Sequence, residues 1–594
     1  MSTAIVTGPP APGSSLAGDL RSLGFDVKAA SDADEAGALL AAVPAGERVA
    51  LVDPRFVGHL HALRLTLTDP RFPAAAAPGA LAAQQEARPA LIRALKAATA
   101  TDDLPGTLAD ALGADGVAVH RPQLGTLVAT VPADPEARHE ARAAVDAVDE
   151  EAVRLRSAVK AHDGFFTTFF ISPYSRYIAR WCARRGLTPN QVTTASLLTA
   201  LIAAGCAATG ERGGYIAAGV LLLVSFVLDC TDGQLARYAL KYSTMGAWLD
   251  ATFDRAKEYA FYAGLALGAA RNGDDVWGLA LGAMVLMTCR HVVDFSFNEA
   301  NHDATANTSP TAALSGRLDS LGWTVWARRM IILPIGERWA MIAVLTAVTT
   351  PRIVFWALII GCAFGACYTT AGRVLRSLTR KAKRTDRAAR ALADLADSGP
   401  LAGIAGRIFG RAGLGLLPGF VLAFIATGVL ISAVLARPFG DGGTVVAAAL
   451  YVMFAGAAVA HPLKGALDWL VPPLFRAAEY TTVLVLAARS DSPGALPAAF
   501  GLVAAVAYHH YDTVYRIRGG TGAPPAWLVR VTGGHEGRTL LVAVLAALLA
   551  DRGDDFTLAL TALAAAVALV VLVESIRFWV SAGAPAVHDE GETA

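Results

Sequence analysis

Charged residues are scarce in this chain: Asp, Glu, Lys and Arg make up 17% of its 594 residues, whereas 54% are hydrophobic. This balance excludes a wholly soluble protein and is typical of a membrane protein. Cysteine is also rare, and the six cysteines have neither pairing nor metal-ligand spacing, which excludes a disulfide framework and favours small core residues. The formal net charge of +1 is uninformative because the charges are segregated by loop, and no nucleic-acid partner is predicted.

A secretory signal is missing as well. The first residues, Met1–Gly8, contain no basic segment followed by an apolar one, so the amino terminus is expected to stay in the cytoplasm. Residues 1–150 alternate short β-like runs with Ala- and Leu-rich helical patterns. We therefore predict a soluble α/β domain over 1–150, with strands at Ala4–Gly8, Arg48–Asp53 and Val117–Val131. The charged and aromatic segment 151–190 is predicted to be an amphipathic, interfacial linker.

Apolar stretches of about 20 residues recur beyond residue 190, and a helix of that length crosses a bilayer. They predict a mainly α-helical, polytopic membrane protein with two blocks of six spans. The first block occupies 191–380 and the second 405–582, with a charged linker over 381–404 and a tail over 583–594. The spans are expected near 191–209, 213–230, 246–269, 275–297, 338–350 and 352–376, then near 413–435, 443–461, 465–488, 495–514, 536–550 and 556–580.

Basic residues mark one side of the first block. They precede the first span, lie between the second and third spans and before the fifth, and follow the sixth. The short loop Arg271–Asp275 and the turn at Pro351–Arg352 carry one basic residue each. By the positive-inside rule, both ends of the block and the loop between the second and third spans are predicted to face the cytoplasm.

The second block resembles a degenerate copy of the first. Three short polar patterns recur at corresponding spans: Arg255 to Tyr259 as Arg476 to Tyr480, His291 to Asp294 as His509 to Asp512, and Glu337-Arg338 as Glu536-Gly537-Arg538. Chance similarity among Ala- and Leu-rich helices is the alternative. The stretch Ala449–Pro462 contains no acid, so the second block is expected to support the first without sharing its chemistry.

Four aspartates flank the predicted loop between the second and third spans. Asp229 and Asp232 end one helix, and Asp250 and Asp254 lie near the start of the next. Residues three or four apart share a helix face, so each pair can converge. Carboxylates are costly beside hydrocarbon unless they are compensated, and hard divalent cations prefer such oxygen ligands. We predict a site for metal and phosphate at a membrane surface.

Small and basic residues accompany these acids. Gly233 and Ala236 remove side-chain bulk where a flat or phosphorylated group would approach. Arg237 offers a guanidinium fork to phosphate oxygens, and Gly246 permits close helix packing one turn before Asp250.

The complete pattern, Asp-x2-Asp-Gly-x2-Ala-Arg-x8-Gly-x3-Asp-x3-Asp from Asp229 to Asp254, resembles the signature of the CDP-alcohol phosphotransferases. The resemblance implies a six-helix membrane enzyme that transfers a substituted phosphate from a CDP-linked donor to an acceptor hydroxyl and releases CMP. It also implies that the four aspartates bind two divalent cations, Mg²⁺ or Mn²⁺. Gly233 and Ala236 would then line the cytidine pocket, and Asp254 would accept the proton of the acceptor.

Flanking residues narrow this resemblance. Lys160 to Gly164 and Leu187 to Thr193 are similar to members that join inositol phosphates, where a nucleotidyltransferase domain is often fused to the membrane domain. Residues 7–20 hold prolines instead of a glycine-rich nucleotide loop, so 1–150 is predicted to be a degenerate nucleotidyltransferase or a regulatory domain. The expected partners are CDP-diacylglycerol or a CDP-polyol, an alcohol or polyol-phosphate acceptor, membrane lipid, and a second copy in a homodimer or an internal pseudo-dimer.

Four arginines are candidates for binding a phosphate on the acceptor: Arg290, Arg328, Arg329 and Arg338. Arg290 lies in an apolar span, where ionisable groups pair or face a cavity, and the others lie where lipid head groups are an equal alternative. Two other functions stay open. A membrane prenyltransferase also binds a diphosphate through paired aspartates, and a chain with a decayed amino-terminal domain could act as a scaffold or lipid-binding regulator.

Overall fold

The computed structural model of the chain describes residues 2–9, 13–98, 103–160, 163–304, 333–379, 382–411 and 417–581. Two of the candidate acceptor-binding residues, Arg328 and Arg329, lie outside these ranges, as does the predicted tail over 583–594.

The amino-terminal domain has the predicted α/β character. Its larger sheet has the strand order β2-β1-β3-β6-β5-β7, in which β1 is parallel to both β2 and β3, while β6 is antiparallel to β3 and β5. The strands are β1 (Ser2–Val6), β2 (Phe25–Ala29), β3 (Val49–Val52), β4 (Val57–Gly58), β5 (Ala74–Ala77), β6 (Ala80–Ala83), β7 (Val119–His120) and β8 (Ala129–Thr130). The predicted strand over Val117–Val131 is instead two separate short strands, because Arg121–Gly125 leaves the sheet and only the ends of the run pair.

Helices cover both faces of this sheet, and two of them lead towards the membrane. They are α1 (Leu16–Ser22), α2 (Ala33–Ala42), α3 (Leu60–Leu67), α4 (Arg88–Ala97), α5 (Leu104–Ala114), α6 (Pro135–Asp146) and α7 (Glu150–Ser157). Aspartates cap four of them, and each cap side chain accepts a hydrogen bond from the backbone of the first turn: Asp32, Asp103, Asp134 and Asp149.

His61 of α3 gives this domain a pH-dependent stability. Burial, and then the charges of Arg154 and Arg64, lower the pKa of His61 to about 3. In the unfolded chain the imidazole has a pKa of about 6.5, so only the unfolded state gains a proton as the pH falls below that value. We expect the domain to lose about 1.4 kcal/mol of stability per pH unit below about 6.5.

The measurement is hydrogen exchange of peptides from β1 and β3 in the full-length protein, compared at pH 7 and pH 5. Replacing His61 by Leu is expected to reduce the acid-dependent gain in exchange, whereas His139→Leu, at an exposed position of α6, should retain it. The same acid response in the His61 variant as in the wild type would contradict the assignment.

The first membrane block begins with an interfacial segment and continues as a bundle. A short π-helix (Thr167–Ile171) leads into α8 (Ser172–Arg184), whose exposed Tyr174, Tyr177 and Trp181 suit a membrane interface. The bundle consists of α9 (Pro189–Ala208), α10 (Arg212–Ala239), α11 (Thr244–Arg271), α12 (Trp277–Asn301), α13 (Ile335–Val348) and α14 (Pro351–Thr379).

Local sequence fixes where the helices that carry the aspartates begin and end. Thr188 and Gln191 form a reciprocal capping box at the start of α9, with Pro189 in the first turn. Leu240, in the left-handed region at φ 52°, ends α10, and the side chain of Ser243 caps α11 by accepting from the backbone N–H of Gly246. A short connection therefore joins the two aspartate pairs.

Helix α11 packs closely on α9 through two glycines. A Cβ atom at Gly264 would overlap the backbone carbonyl of Ala204, and one at Gly268 would overlap that of Ala207. Small residues spaced in this way let two helix backbones approach each other inside a membrane. The contact fixes α11, and with it Asp250 and Asp254, against α9.

Replacing Gly268 by Ala is expected to destabilise the protein by about 1–3 kcal/mol, because the added methyl group must push the two helix backbones apart. Thermal unfolding of the purified protein in detergent measures the change. Gly205→Ala on α9 is the matched control, since a Cβ atom there meets nothing within 4 Å. Equal unfolding temperatures for the two variants would contradict the close contact.

The second membrane block is also helical. Helix α15 (Asp386–Ala396) and α16 (Pro400–Arg411) precede α17 (Gly419–Ala436), α18 (Gly442–Ala458), a 3-10 turn (Asp468–Leu470), α19 (Val471–Arg489), α20 (Ala495–Arg518), α21 (Ala526–Thr532), α22 (Gly534–Leu548) and α23 (Asp555–Ser581). A helix is present at each of the twelve predicted spans. Among the described residues seven helical stretches are long and apolar enough to cross a membrane, so the chain is a multi-pass membrane protein and the count of twelve spans stays a prediction.

The two blocks share one continuous hydrophobic core. Trp277 of α12 meets Phe500 of α20 with ring centroids 5.6 Å apart, and Phe297 meets Trp469 at 5.2 Å. His291 and Tyr511 form a hydrogen bond between the same two blocks. The segment predicted as a charged linker contains α15, which buries Leu392 and Leu395.

Candidate functional site

Three of the four predicted aspartates come together between α10 and α11, about two to three helical turns from the connection that joins these helices. Asp229, Asp250 and Asp254 each offer a carboxylate oxygen, and these oxygens all lie within 4.8 Å of one another. Asp229 and Asp254 are largely buried, with side-chain exposures of 15% and 17%, whereas Asp250 is exposed. The predicted convergence of the two helices is therefore present for this trio, but the expectation that Asp229 and Asp232 end a helix is wrong, because α10 continues to Ala239.

Asp232 lies beside the trio rather than within it. The residue is 4% exposed, and its Oδ2 atom has no hydrogen-bond partner among the described residues. A buried carboxylate oxygen without a partner is costly, because burial removes water that nothing replaces. This atom therefore provides an acceptor for a ligand at the edge of the trio.

Lys257 is a member of this site that our reading of the sequence missed. Its ammonium group is hydrogen-bonded to Asp229, lies 2.9 Å from Asp254 Oδ1, and is 3.2 Å from Ser196 Oγ of α9. The side chain is 2% exposed. A signal was available, since Lys257 follows Asp254 by three residues and therefore shares its helix face.

The predicted small and basic residues lie around the connection between α10 and α11. A Cβ atom at Gly246 would be 2.9 Å from Asn190 Oδ1, so the absence of a side chain lets α11 approach the start of α9. The Arg237 Nε donates to the backbone carbonyl of Ala158 at 2.6 Å, and a Cβ atom at Gly233 would meet the same guanidinium at 3.5 Å. Arg237 thus lies over Gly233 at the open end of the bundle.

Ala236 closes helix α10. Its carbonyl oxygen accepts from the backbone N–H groups of Leu240 and Lys241. Its own side chain is half-buried, beside Gly233 and Arg237 on the chain. All four of these predicted residues are therefore adjacent to the aspartates or to the connection that joins them.

The two described acceptor candidates lie deeper in the bundle. Arg338 is 3% exposed, and its Nε lies 3.3 Å from Glu258 Oε1. Glu258 also accepts from Arg255 at 2.6 Å and from the hydroxyl of Tyr262 at 2.7 Å, which makes it the centre of an internal ion-pair network. Arg290 of α12 is 7% exposed. Its role as an acceptor ligand, like that of Arg338, stays a prediction.

The amino-terminal domain is held against the aspartate end of the bundle. Arg154 of α7 donates twice to the carbonyl oxygen of Tyr238, at 3.0 and 2.8 Å, and the Tyr238 hydroxyl donates to Glu151 at 2.8 Å. The guanidinium of Arg71 lies 4.0 Å from the ring centroid of Tyr242. The soluble domain and the aspartates are therefore on the same side of the membrane.

The residues of the site fit a divalent cation. Grouped carboxylate oxygens are the ligands that Mg²⁺ and similar hard cations prefer, and such cations usually take their remaining ligands from water and substrate phosphates. The exposed Asp250 leaves a side open to a substrate, while the buried Asp232 Oδ2 offers a further oxygen. Gly233 and Gly246, which have no side chains, lie near this open side of the aspartate site.

Two family models match different parts of the chain. Residues 186–367 match the model described as CDP-alcohol phosphatidyltransferase. Residues 386–594 match a model described as Family of unknown function (DUF5941). The first match confirms the predicted resemblance and covers all four aspartates.

Curated relatives match over shorter stretches. The archaetidylinositol phosphate synthase of Pyrococcus horikoshii is 34% identical over 113 residues, which is 19% of this chain and 58% of the relative. The phosphatidylinositol phosphate synthase of Streptomyces avermitilis is 32% identical over 130 residues, or 21% and 51% of the two chains. The bifunctional IPC transferase and DIPP synthase of Aquifex aeolicus is 26% identical over 204 residues, or 34% and 45%. The chain thus spans about half the length of these relatives.

Proposed function

We propose that residues 191–380 form the catalytic domain of a CDP-alcohol phosphotransferase, which transfers a substituted phosphate from a CDP-linked alcohol to an acceptor hydroxyl and releases CMP. The observation that carries the proposal is the grouping of carboxylate oxygens from Asp229, Asp250 and Asp254 within 4.8 Å, inside a segment that matches the CDP-alcohol phosphatidyltransferase model. This grouping lies at the end of a membrane bundle, where a lipid or polyol donor and a water-soluble group can meet.

The aspartates would hold divalent cations, Mg²⁺ or Mn²⁺, which when bound supply positive charge that neutralises a diphosphate and its leaving phosphate. Arg237, above Gly233, would donate to phosphate oxygens from the open side. Gly233 and Ala236 would line the cytidine pocket, and Gly246 would let α11 approach the start of α9. These residues bind and orient the donor so that its reacting phosphate faces the acceptor.

Asp254 would accept the proton of the acceptor hydroxyl. The acceptor oxygen then forms a bond to the donor phosphorus, the bond from phosphorus to the CMP oxygen breaks, and CMP leaves as the second product. Lys257 pairs with Asp254 at 2.9 Å and orients this carboxylate in the absence of substrate. A positioned base of this kind typically contributes about 10²–10⁴ in rate.

The active site and the amino-terminal domain would face the cytoplasm. The loops on the same side of the first block as the aspartates carry most of its basic residues. The soluble domain lies on that side as well, where Arg154 donates to the carbonyl oxygen of Tyr238. A soluble reporter or a cysteine label on residues 1–150 of protein in sealed vesicles tests this orientation. Labelling from the periplasmic or extracellular side would oppose it.

The second block would be a catalytically silent copy that completes an internal pseudo-dimer. Arg476 donates to Glu479 at 2.9 Å and Arg538 Nε lies 2.6 Å from the same carboxylate, which is the pattern of Arg255, Glu258 and Arg338 in the first block. If the two patterns are aligned, Val471 and Phe475 stand where the first block has Asp250 and Asp254. Contacts of α12 with α19 and α20 then provide the pairing that a second chain would otherwise supply.

A CMP-release assay on the purified full-length protein tests the proposed activity. Inositol phosphate with CDP-diacylglycerol or a CDP-polyol is the first combination to try, because the relatives are named as an archaetidylinositol phosphate synthase, a phosphatidylinositol phosphate synthase and a bifunctional IPC transferase and DIPP synthase. We expect release that requires Mg²⁺ or Mn²⁺ and both substrates. Lipid binding without CMP release from any donor would instead favour the scaffold alternative.

A further inference from the structure

Lys257 supplies a positive charge at the position where two of the aspartates meet. We propose that Lys257 is a resident cation of the aspartate site: its ammonium takes the place of one of the two divalent cations expected there, so that the site binds a single divalent cation. The inference rests on the proposed function, since it concerns the metal content of the same site. It differs from what the family resemblance implies, which is a pair of cations.

The ammonium group contacts two of the acids and one hydroxyl. It donates hydrogen bonds to Asp229 and to Ser196 Oγ, and it forms an ion pair with Asp254 Oδ1 at 2.9 Å. These partners come from α10, α9 and α11, so the lysine joins the three helices that build the site. At 2% exposure the group has no access to bulk water that would compensate its charge if it left these partners.

The same contacts exclude a second metal between these two acids. A divalent cation bridging Asp229 and Asp254 would need the space that the ammonium occupies, since metal–carboxylate distances are shorter than the 2.9 Å from Nζ to Asp254. The acids at the other side of the group are not engaged in this way. Asp232 Oδ2 is buried without a hydrogen-bond partner among the described residues, and Asp250 is exposed, so these two are the ligands left for one cation.

The second block supports the link between the lysine and the acids. When Arg255 and Glu258 are aligned with Arg476 and Glu479, the position of Lys257 corresponds to Ala478, which is fully buried. The block that lacks the aspartates therefore also lacks the lysine.

Counting bound Mn²⁺ tests the proposal without any turnover. The full-length protein in detergent is stripped of metal, and free Mn²⁺ is followed by electron paramagnetic resonance during a titration. We expect about one bound Mn²⁺ per chain in the wild type and about two in Lys257→Met, because removing the ammonium opens the space between Asp229 and Asp254. Lys241→Met, at an exposed position of the connecting loop, is the matched control and should keep the wild-type count.

A second measurement keeps the test decisive if Lys257→Met folds poorly. In the presence of a chelator this variant should unfold at a lower temperature than the wild type. Added Mn²⁺ should raise the unfolding temperature of the variant and so remove the difference. Two bound ions in the wild type, or an unchanged count and unfolding temperature in Lys257→Met, would overturn the role of Lys257 and leave the proposed transferase intact. A wild type that binds no Mn²⁺ would overturn both.

Discussion

Replacing Asp254 by Asn is expected to lower CMP release by about 10³-fold or more, because the variant loses both a proton acceptor and the negative charge that pairs with Lys257. Asn has nearly the same shape, and α11 remains fixed to α9 through Gly264 and Gly268, so the bundle should stay folded. Lys257 also keeps its contacts to Asp229 and Ser196. CMP release at saturating donor, with the unfolding temperature measured in parallel, separates loss of chemistry from loss of structure.

Asp274→Asn is the matched control for this prediction. Asp274 lies beyond the far end of α11 and pairs with the exposed Arg352. Because α11 is about 40 Å long, the charge of Asp274 is far from the aspartate site. We expect wild-type CMP release from the control. Wild-type release from Asp254→Asn would remove Asp254 from the mechanism, although the metal site could still stand on Asp232 and Asp250.

Helix periodicity was sufficient to predict much of this site. The spacing of Asp229 with Asp232 and of Asp250 with Asp254 placed each pair on one helix face, and the structure brings three of the four together. Position along a helix does not specify how two helices are rotated against each other, which is why Asp232 lies beside the trio. The same limit applies to Lys257, whose role depends on Ser196 of a third helix.

The fold of the second block was predictable in outline but not in its polar interior. The sequence predicted only that the pattern from Arg255 to Tyr259 recurs as Arg476 to Tyr480, and the structure adds that Arg476 pairs with Glu479. The segment 381–404 was predicted to be a charged linker, because its many charges and short length were the only features that the sequence provided. Its helix α15 instead packs its apolar face onto the block and directs Asp397 into the interior. Such a contact is long-range, with Asp397 separated from Arg538 by more than a hundred residues.

Replacing Asp397 by Asn is expected to destabilise the protein by about 3–5 kcal/mol, because it leaves buried arginines without their common counter-charge. Asp397 Oδ2 accepts from Arg476 at 2.9 Å and from Arg538 at 2.8 Å, and Oδ1 lies 3.2 Å from His509 Nε2. The residue is 5% exposed. Burial alone would raise the pKa of Asp397, but the guanidinium groups of Arg476 and Arg538 outweigh it and hold that pKa well below its usual range.

Asn isolates the charge in this experiment, because Asp397 adopts φ 53° and Asn tolerates the left-handed region about as well as Asp. Thermal unfolding in detergent measures the loss, and Asp394→Asn at an exposed position of the same helix should unfold like the wild type.

The low pKa of Asp397 also predicts how the effect of the substitution depends on pH. The stabilisation by Asp397 is complete above the unfolded-state pKa of about 3.9 and is lost as the pH falls through the lower folded-state value, so Asp397→Asn should be destabilised at neutral pH to the same extent as at pH 5. If the second block supports the first as a pseudo-dimer, CMP release by this variant should fail at the temperature at which the second block unfolds. Release that persists above that temperature would show that the first block works alone.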